Sequence, residues 1–161
     1  MKKYLYIALC LFMLNVSTPA IAQSDLVSLG VGWYDINDNE GAADFRLEYR
    51  WDKELLWVIE PWAGLEASSD GAVYAVAGIL ADMRIGDNFL ITPSFGAGLY
   101  GDGSGKDLGH VIEFRSQVEL GFELDNLSRI GIAAGHISNA GIGDSNPGTE
   151  IVNLYYHIPV N

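Results

Sequence analysis

Cysteine occurs once, at Cys10, inside the opening stretch that the sequence marks for removal. Neither a disulfide framework nor a thiolate metal site is therefore open to the exported chain. Basic residues are scarce too: nine Lys and Arg stand against 21 Asp and Glu, a formal charge of −12. That balance is the reverse of a phosphate-binding footprint and argues against nucleic acid as a partner. Long apolar runs are missing beyond residue 22, although 49% of the residues are hydrophobic. A membrane helix needs about 20 consecutive apolar residues, so any membrane span must be built from strands.

The first 22 residues read as a signal peptide. Lys2 and Lys3 give a positive start, Tyr4 to Val16 an apolar run, and Ala20-Ile21-Ala22 a small-residue cleavage signature before Gln23. An uncleaved anchor is the minor alternative, since the apolar run is short for a spanning helix. Cleavage leaves one domain, residues 23–161, and takes the charge from −12 to −14.

Short alternating segments separated by turn residues fill that domain, with no sustained helical period. They predict eight strands, at 26–35, 43–51, 55–66, 72–84, 89–100, 109–123, 128–138 and 149–159. Connections alternate in length: Asp52-Lys53-Glu54, Gly86-Asp87-Asn88 and Asp125-Asn126-Leu127 are tight, whereas 36–42, 67–71, 101–108 and 139–148 are longer. Outer-membrane barrels have that asymmetry, with short turns in the periplasm and longer loops outside. The expected fold is all-β, an eight-stranded antiparallel transmembrane β-barrel of the outer membrane.

Alternation also fits a soluble lipocalin-like carrier with its apolar row inward, so the makeup of each row matters. One row is bulky: Val27, Leu29, Val31 and Trp33, then Phe45, Leu47, Tyr49 and Trp51, then Ile112, Phe114, Val118, Leu120 and Phe122. The other holds Ser28, Gly30 and Gly32, then Arg46, Glu48 and Arg50, then Glu113, Arg115, Gln117 and Glu119. Small residues and charges of both signs suit a narrow lumen, and the bulky row suits lipid. Arg46, Arg50 and Arg115 are the expected partners of Glu48, Glu113 and Glu119. Trp33, Trp51, Trp57, Phe89 and Tyr156 fall near strand ends, where aromatic girdles sit.

The most specific stretch is Gly135-His136-Ile137-Ser138-Asn139 with Asn146-Pro147-Gly148-Thr149-Glu150 after it. His136 and Ser138 are two residues apart on one strand, so they share a face with Cα atoms roughly 6.5 to 7 Å apart. Their row runs back through Ala134, Ile132 and Ile130, the lipid side. Glu150 starts the last strand on the row of Val152, Leu154, Tyr156 and Ile158, also facing lipid. All three polar groups thus share the outer surface near the extracellular rim. A serine hydroxyl needs a base to take its proton, and the base needs a third group to fix its tautomer. Ser138, His136 and Glu150 fit those roles, and Asn146 is the first candidate to stabilise an oxyanion, with Asn139 or a backbone N–H from Ala140 to Gly143 assisting. By spacing alone the pattern also fits a solvated turn.

The run His136-Ile137-Ser138-Asn139-Ala140, with Asn146-Pro147-Gly148 and Glu150 following, resembles the active-site region of the lipid A 3-O-deacylases, the PagL family. The resemblance implies an outer-membrane barrel that hydrolyses the ester-linked acyl chain at the 3-position of lipid A within lipopolysaccharide. It further implies Ser138 as nucleophile, His136 as base, Glu150 as orienter, Asn139 and Asn146 as supporting residues, and no metal or organic cofactor. The carboxyl end, Pro159-Val160-Asn161, departs from the aromatic residue on which such barrels often end.

Two other classes remain open at this point, a non-catalytic small barrel with a structural or loop-binding role and the soluble carrier. Asp102-Gly-Ser-Gly-Lys-Asp107 faintly resembles a calcium loop but lacks the ligand spacing and the terminal Glu, and it reads as a solvated loop. His110 reads as an incidental interfacial histidine. His157 alternates inward, too far along its strand to join Ser138.

Overall fold

A computed structural model describes residues 24–37 and 41–160. The expected signal peptide, 1–22, lies outside the described residues. The alternating segments form β1 (Asp25–Tyr34), β2 (Ala42–Arg50), β3 (Ile59–Ser68), β4 (Val73–Ala81), β5 (Met83–Ile85), β6 (Phe89–Gly101), β7 (Ile112–Glu123), β8 (Arg129–Ser138) and β9 (Thr149–Val160). Each pairs antiparallel with its neighbours, β9 returns to β1, and β4 pairs with β6, so the sheet closes. Among the described residues, closure pairs both sides of every strand except the three-residue β5, which pairs with β6 alone.

The ring has eight staves, because β4 and β5 together make the fourth predicted strand. The break falls at Asp82, whose carboxylate turns into the lumen to accept a hydrogen bond from Thr92 Oγ1 at 2.6 Å and to pair with Arg129. The third strand begins at Ile59, four residues later than predicted. Residues 51–58 form a longer turn, closed by Leu55 N–H donating to the Ile59 carbonyl at 2.8 Å, with Trp57 at φ 57°.

Row composition does decide the faces. Leu29, Val31, Trp33, Phe45 and Leu47 are exposed, as are Ile132 and Leu154, while Ser28, Arg46, Glu48, Arg50, Arg115 and Glu119 are buried. The apolar row faces outward, opposite to a soluble carrier.

The lumen is crossed by ion pairs. Arg115 donates to Glu48 at 2.6 Å and to Glu66, and its guanidinium lies 4.2 Å from the Trp62 ring centroid. Arg46 meets Asp44 at 2.7 Å, Glu66 at 2.9 Å and Gln117 at 2.6 Å, and Arg50 meets Glu119 at 2.8 Å. The expected pairing holds for Glu48 and Glu119 but not for Glu113. Glu113 is fully buried with neither carboxylate oxygen hydrogen-bonded among the described residues, and Glu66 takes its place in the network. His157 points inward as expected, between Ser28 Oγ and Glu119 Oε1 at 2.7 Å each.

Towards the end bearing Asp35 and the 139–148 loop, aromatic and aliphatic side chains join the buried charges. Tyr34, Tyr74, Tyr100, Ile137 and Ile151 form a buried cluster with Leu108, which comes from the 102–111 connection. That connection is only partly the solvated loop expected from sequence. Asp102 to Ser104 are exposed, but Lys106 and Leu108 are buried.

Candidate active site

Parity along β8 and β9 places the site. On β8 the side chains of Ile130, Ile132, Ala134, His136 and Ser138 face out, and Ala133 and Ile137 face in. Small residues on the inner row make room for the lumen charges: a Cβ at Gly131 would sit 2.5 Å from Glu119 Oε1. On β9, Thr149, Ile151 and Asn153 are buried, so Glu150, Val152 and Leu154 take the outer row.

His136 and Glu150 are direct partners in the β8–β9 register. Nδ1 lies 3.3 Å from Oε1, and both side chains are somewhat under half exposed. The contact fixes which ring nitrogen meets the acid and leaves Nε2 for another partner. Ser138 is two residues on, in the same outer row, registered opposite Phe114 of β7. No hydrogen bond joins Ser138 to His136 among the described residues.

Gly148, which ends the Asn146-Pro147-Gly148 run, packs against the His136 ring. Its φ is 66°, in the region that favours glycine, and a Cβ there would lie 2.7 Å from His136 Cε1 and 3.1 Å from Nε2. The imidazole therefore rests against bare backbone. The signal available in the sequence was a glycine immediately before a strand, two residues from an acid.

The two asparagines occupy different surroundings. Asn139 is fully buried, and its Nδ2 donates to the carbonyls of Leu108 at 2.8 Å and Ser145 at 2.7 Å. Its Oδ1 accepts from Gly141 N–H at 2.9 Å, and its carbonyl from Ile142 N–H at 3.2 Å. Asn139 thus ties the 139–148 loop together and to the 102–111 connection. Asn146 is exposed, and its Oδ1 accepts from Asn139 N–H at 3.0 Å. Because that partner can only donate, the Asn146 oxygen is fixed and its NH2 group points away from Asn139. Of the backbone N–H groups between 140 and 143, those of Gly141 and Ile142 are taken, leaving Ala140 and Gly143.

Below the site the outer surface is apolar. Ala134 lies between Val118 and Val152, and Ile132 between Leu120 and Leu154. A shallow groove of about 460 Å³ opens there, bounded further down by Phe122 and Ile130. No cluster of three or more potential metal ligands is present among the described residues.

Comparisons with known proteins agree on one family. The sequence profile described as "Lipid A 3-O-deacylase (PagL)" matches residues 27–159. A lipid A deacylase PagL of Bordetella bronchiseptica is 40% identical over 73 residues, a match spanning 44% of this chain and 41% of that protein. A lipid A deacylase PagL of Pseudomonas aeruginosa is 26% identical over 99% of this chain and 100% of its own length. The crystal structure of the outer membrane enzyme PagL superposes with a TM-score of 0.67 at 25% identity, covering 84% of this chain and 99% of that one. A de novo designed transmembrane β-barrel superposes at 0.60 with 9% identity, over 89% of this chain and 100% of its own, a likeness of fold alone. With a matching profile over most of its length and a closed eight-stranded wall whose apolar side faces out, the chain is an outer-membrane β-barrel belonging to the lipid A 3-O-deacylase (PagL) family.

Proposed function

We propose that this chain hydrolyses the acyl ester at the 3-position of lipid A, with Ser138 as nucleophile, His136 as general base and Glu150 as the carboxylate that orients it. One observation carries the assignment: the 3.3 Å approach of His136 Nδ1 to Glu150 Oε1 across the ladder, with Ser138 next in the same outward row. The reading also rests on the family to which the chain belongs.

In the first half of the reaction Ser138 Oγ attacks the ester carbonyl carbon while His136 Nε2 accepts the hydroxyl proton. Glu150 stabilises the imidazolium that results. Collapse of the tetrahedral intermediate expels the 3-hydroxyl of lipid A, which takes the proton back from His136, and leaves the acyl group on Ser138. Water then attacks that ester with His136 again as base, releasing the fatty acid and free serine.

The oxyanion of each intermediate needs aimed donors, and one such group is worth about 2.7 to 4 kcal/mol. Asn146 Nδ2 is assigned that part, helped by Ala140 or Gly143 N–H. Asn139 supports the loop from below. The released acyl chain is expected to lie along Ala134 and Ile132, so the substrate approaches sideways through the leaflet and never enters the lumen.

Release of fatty acid from purified lipid A by Ser138→Ala tests the assignment. Loss of turnover in a barrel that still migrates differently boiled and unboiled is the expected result. Full turnover in that variant would remove Ser138 from the nucleophile role.

A further inference from the structure

The carboxylate of Asp35 joins three parts of the chain directly behind the site. Asp35 follows β1, is fully buried, and holds φ 57°, a conformation that Asp tolerates better than most residues. Its Oδ1 accepts from Lys106 Nζ at 2.7 Å and from Thr149 Oγ1 at 3.0 Å. The next residue, Ile36, donates its N–H to the carbonyl of Glu150 at 3.1 Å. Side chain and backbone together therefore hold Thr149 and Glu150, the first two residues of β9.

Lys106 is itself anchored. Tyr100 Oη donates to the Lys106 carbonyl at 2.7 Å and pairs with Tyr34 Oη at 2.9 Å. Two residues further, the Leu108 carbonyl receives Asn139 Nδ2. The 102–111 connection thus grips the start of β9 through Lys106 and Asp35, and the end of β8 through Leu108. Between those grips, Thr149 is registered with Ile137, which stands between His136 and Ser138.

The geometry points to Asp35 as a positioning residue for deacylation: braced by Lys106, it fixes Thr149 and with it the backbone of Glu150, so that the acid meets His136 across the ladder. Asp35 is buried behind the wall and acts only through Glu150. Strand ends beside long loops open easily unless tied down, and a misplacement of about 1 Å at a catalytic group can cost about a hundredfold in rate. The inference rests on the Ser138/His136/Glu150 reading.

The test uses the full chain in detergent micelles with purified lipid A as substrate. Asp35→Asn and Thr149→Val should each lower kcat about tenfold with KM changed less than about twofold, and Thr149→Ser, which keeps the hydroxyl, should restore most of the rate. In a Glu150→Ala background Asp35→Asn should change kcat by less than about twofold, because the acid that it aims is gone. If Asp35→Asn fails the heat-shift test of folding, the Val and Ser variants of Thr149, compared with and without Glu150, decide the matter. An equal loss from Asp35→Asn in both backgrounds, or wild-type kcat in Thr149→Val, overturns the inference while leaving the triad intact. Full activity in Glu150→Ala overturns the triad reading and this inference with it.

Discussion

His136 and Glu150 stand opposite each other on β8 and β9, with Nδ1 and Oε1 3.3 Å apart on the lipid side of the wall. Strand register brings the two backbones together, so the side chains meet without any help from a loop. Ser138→Ala and His136→Ala are expected to abolish release of the 3-position acyl chain. Glu150→Ala should retain a residual rate, because an unoriented imidazole still accepts a proton part of the time. Mass spectrometry of lipid A from cells carrying each variant reads all three, and the boiled-versus-unboiled gel shift separates lost chemistry from lost folding.

Gly148→Ala puts a Cβ within 2.7 Å of the His136 ring at a backbone φ of 66°. Both effects push the imidazole off its place. We expect kcat to fall by about ten- to a hundredfold, with the barrel folded and the gel shift intact. Activity equal to the wild type in a folded Gly148→Ala protein would show that the ring is free to settle elsewhere.

Asn146→Ala should cut kcat by about a hundredfold with little change in KM if its amide serves the oxyanion. Asn146→Asp should be worse, since a carboxylate faces the developing negative charge. Asn139→Ala should behave differently. It removes three side-chain hydrogen bonds from a buried position, so its signature is faster proteolysis of the 139–148 loop alongside the loss of rate.

In the wall, Ile132→Arg and Leu154→Arg place a charge on the outer row, where it costs about 2 to 4 kcal/mol near the bilayer midplane. Urea titration in lipid vesicles should show both losses. Spin labels at the same positions should be reached by lipid-soluble relaxation agents and shielded from water-soluble ones. The opposite pattern would reverse the faces and undo the geometry of the site.

Lumenal charges give a prediction of another kind. Arg115→Met leaves Glu48 and Glu66 buried with fewer cations, and breaking such a pair costs about 3 to 5 kcal/mol. The loss should appear in the urea midpoint of the inserted protein, with kcat of the surviving folded fraction close to wild type.

Much of this was legible in the sequence because a strand has a period of two. Alternation assigns the faces of β1, β2 and β7, and the same parity puts His136, Ser138 and Glu150 on one surface. Other features had no periodic signature. Trp57 looked like a strand residue by type, yet it adopts φ 57° in a turn, which delayed β3 to Ile59. Asp82 interrupts the fourth strand because its carboxylate meets Arg129, 47 residues away. Glu113 shares the inner row with the arginines and so reads as one of their partners, whereas Arg115 pairs with Glu48 on β2 and Glu66 on β3. Lys106 sat in a Gly/Ser/Asp stretch that reads as solvated, and only its contact with Asp35, 71 residues away, shows otherwise. Local pattern reveals which way a side chain points, but not which distant charge it meets.

The arginines also constrain how the wall can be assembled. β2 and β7 lie diametrically across the ring, and the bonds from Arg115 to Glu48, from Arg50 to Glu119 and from Arg46 to Gln117 all span that diameter. A β1–β2 hairpin entering the bilayer alone would carry Arg46, Glu48 and Arg50 into hydrocarbon with β7 still outside, at about 2 to 4 kcal/mol for each arginine near the midplane. Stepwise insertion, hairpin after hairpin, is therefore uphill from its first move. The charges of β2 find their partners on β7 only when the ring closes, so crossing the membrane and sealing the ring are coupled.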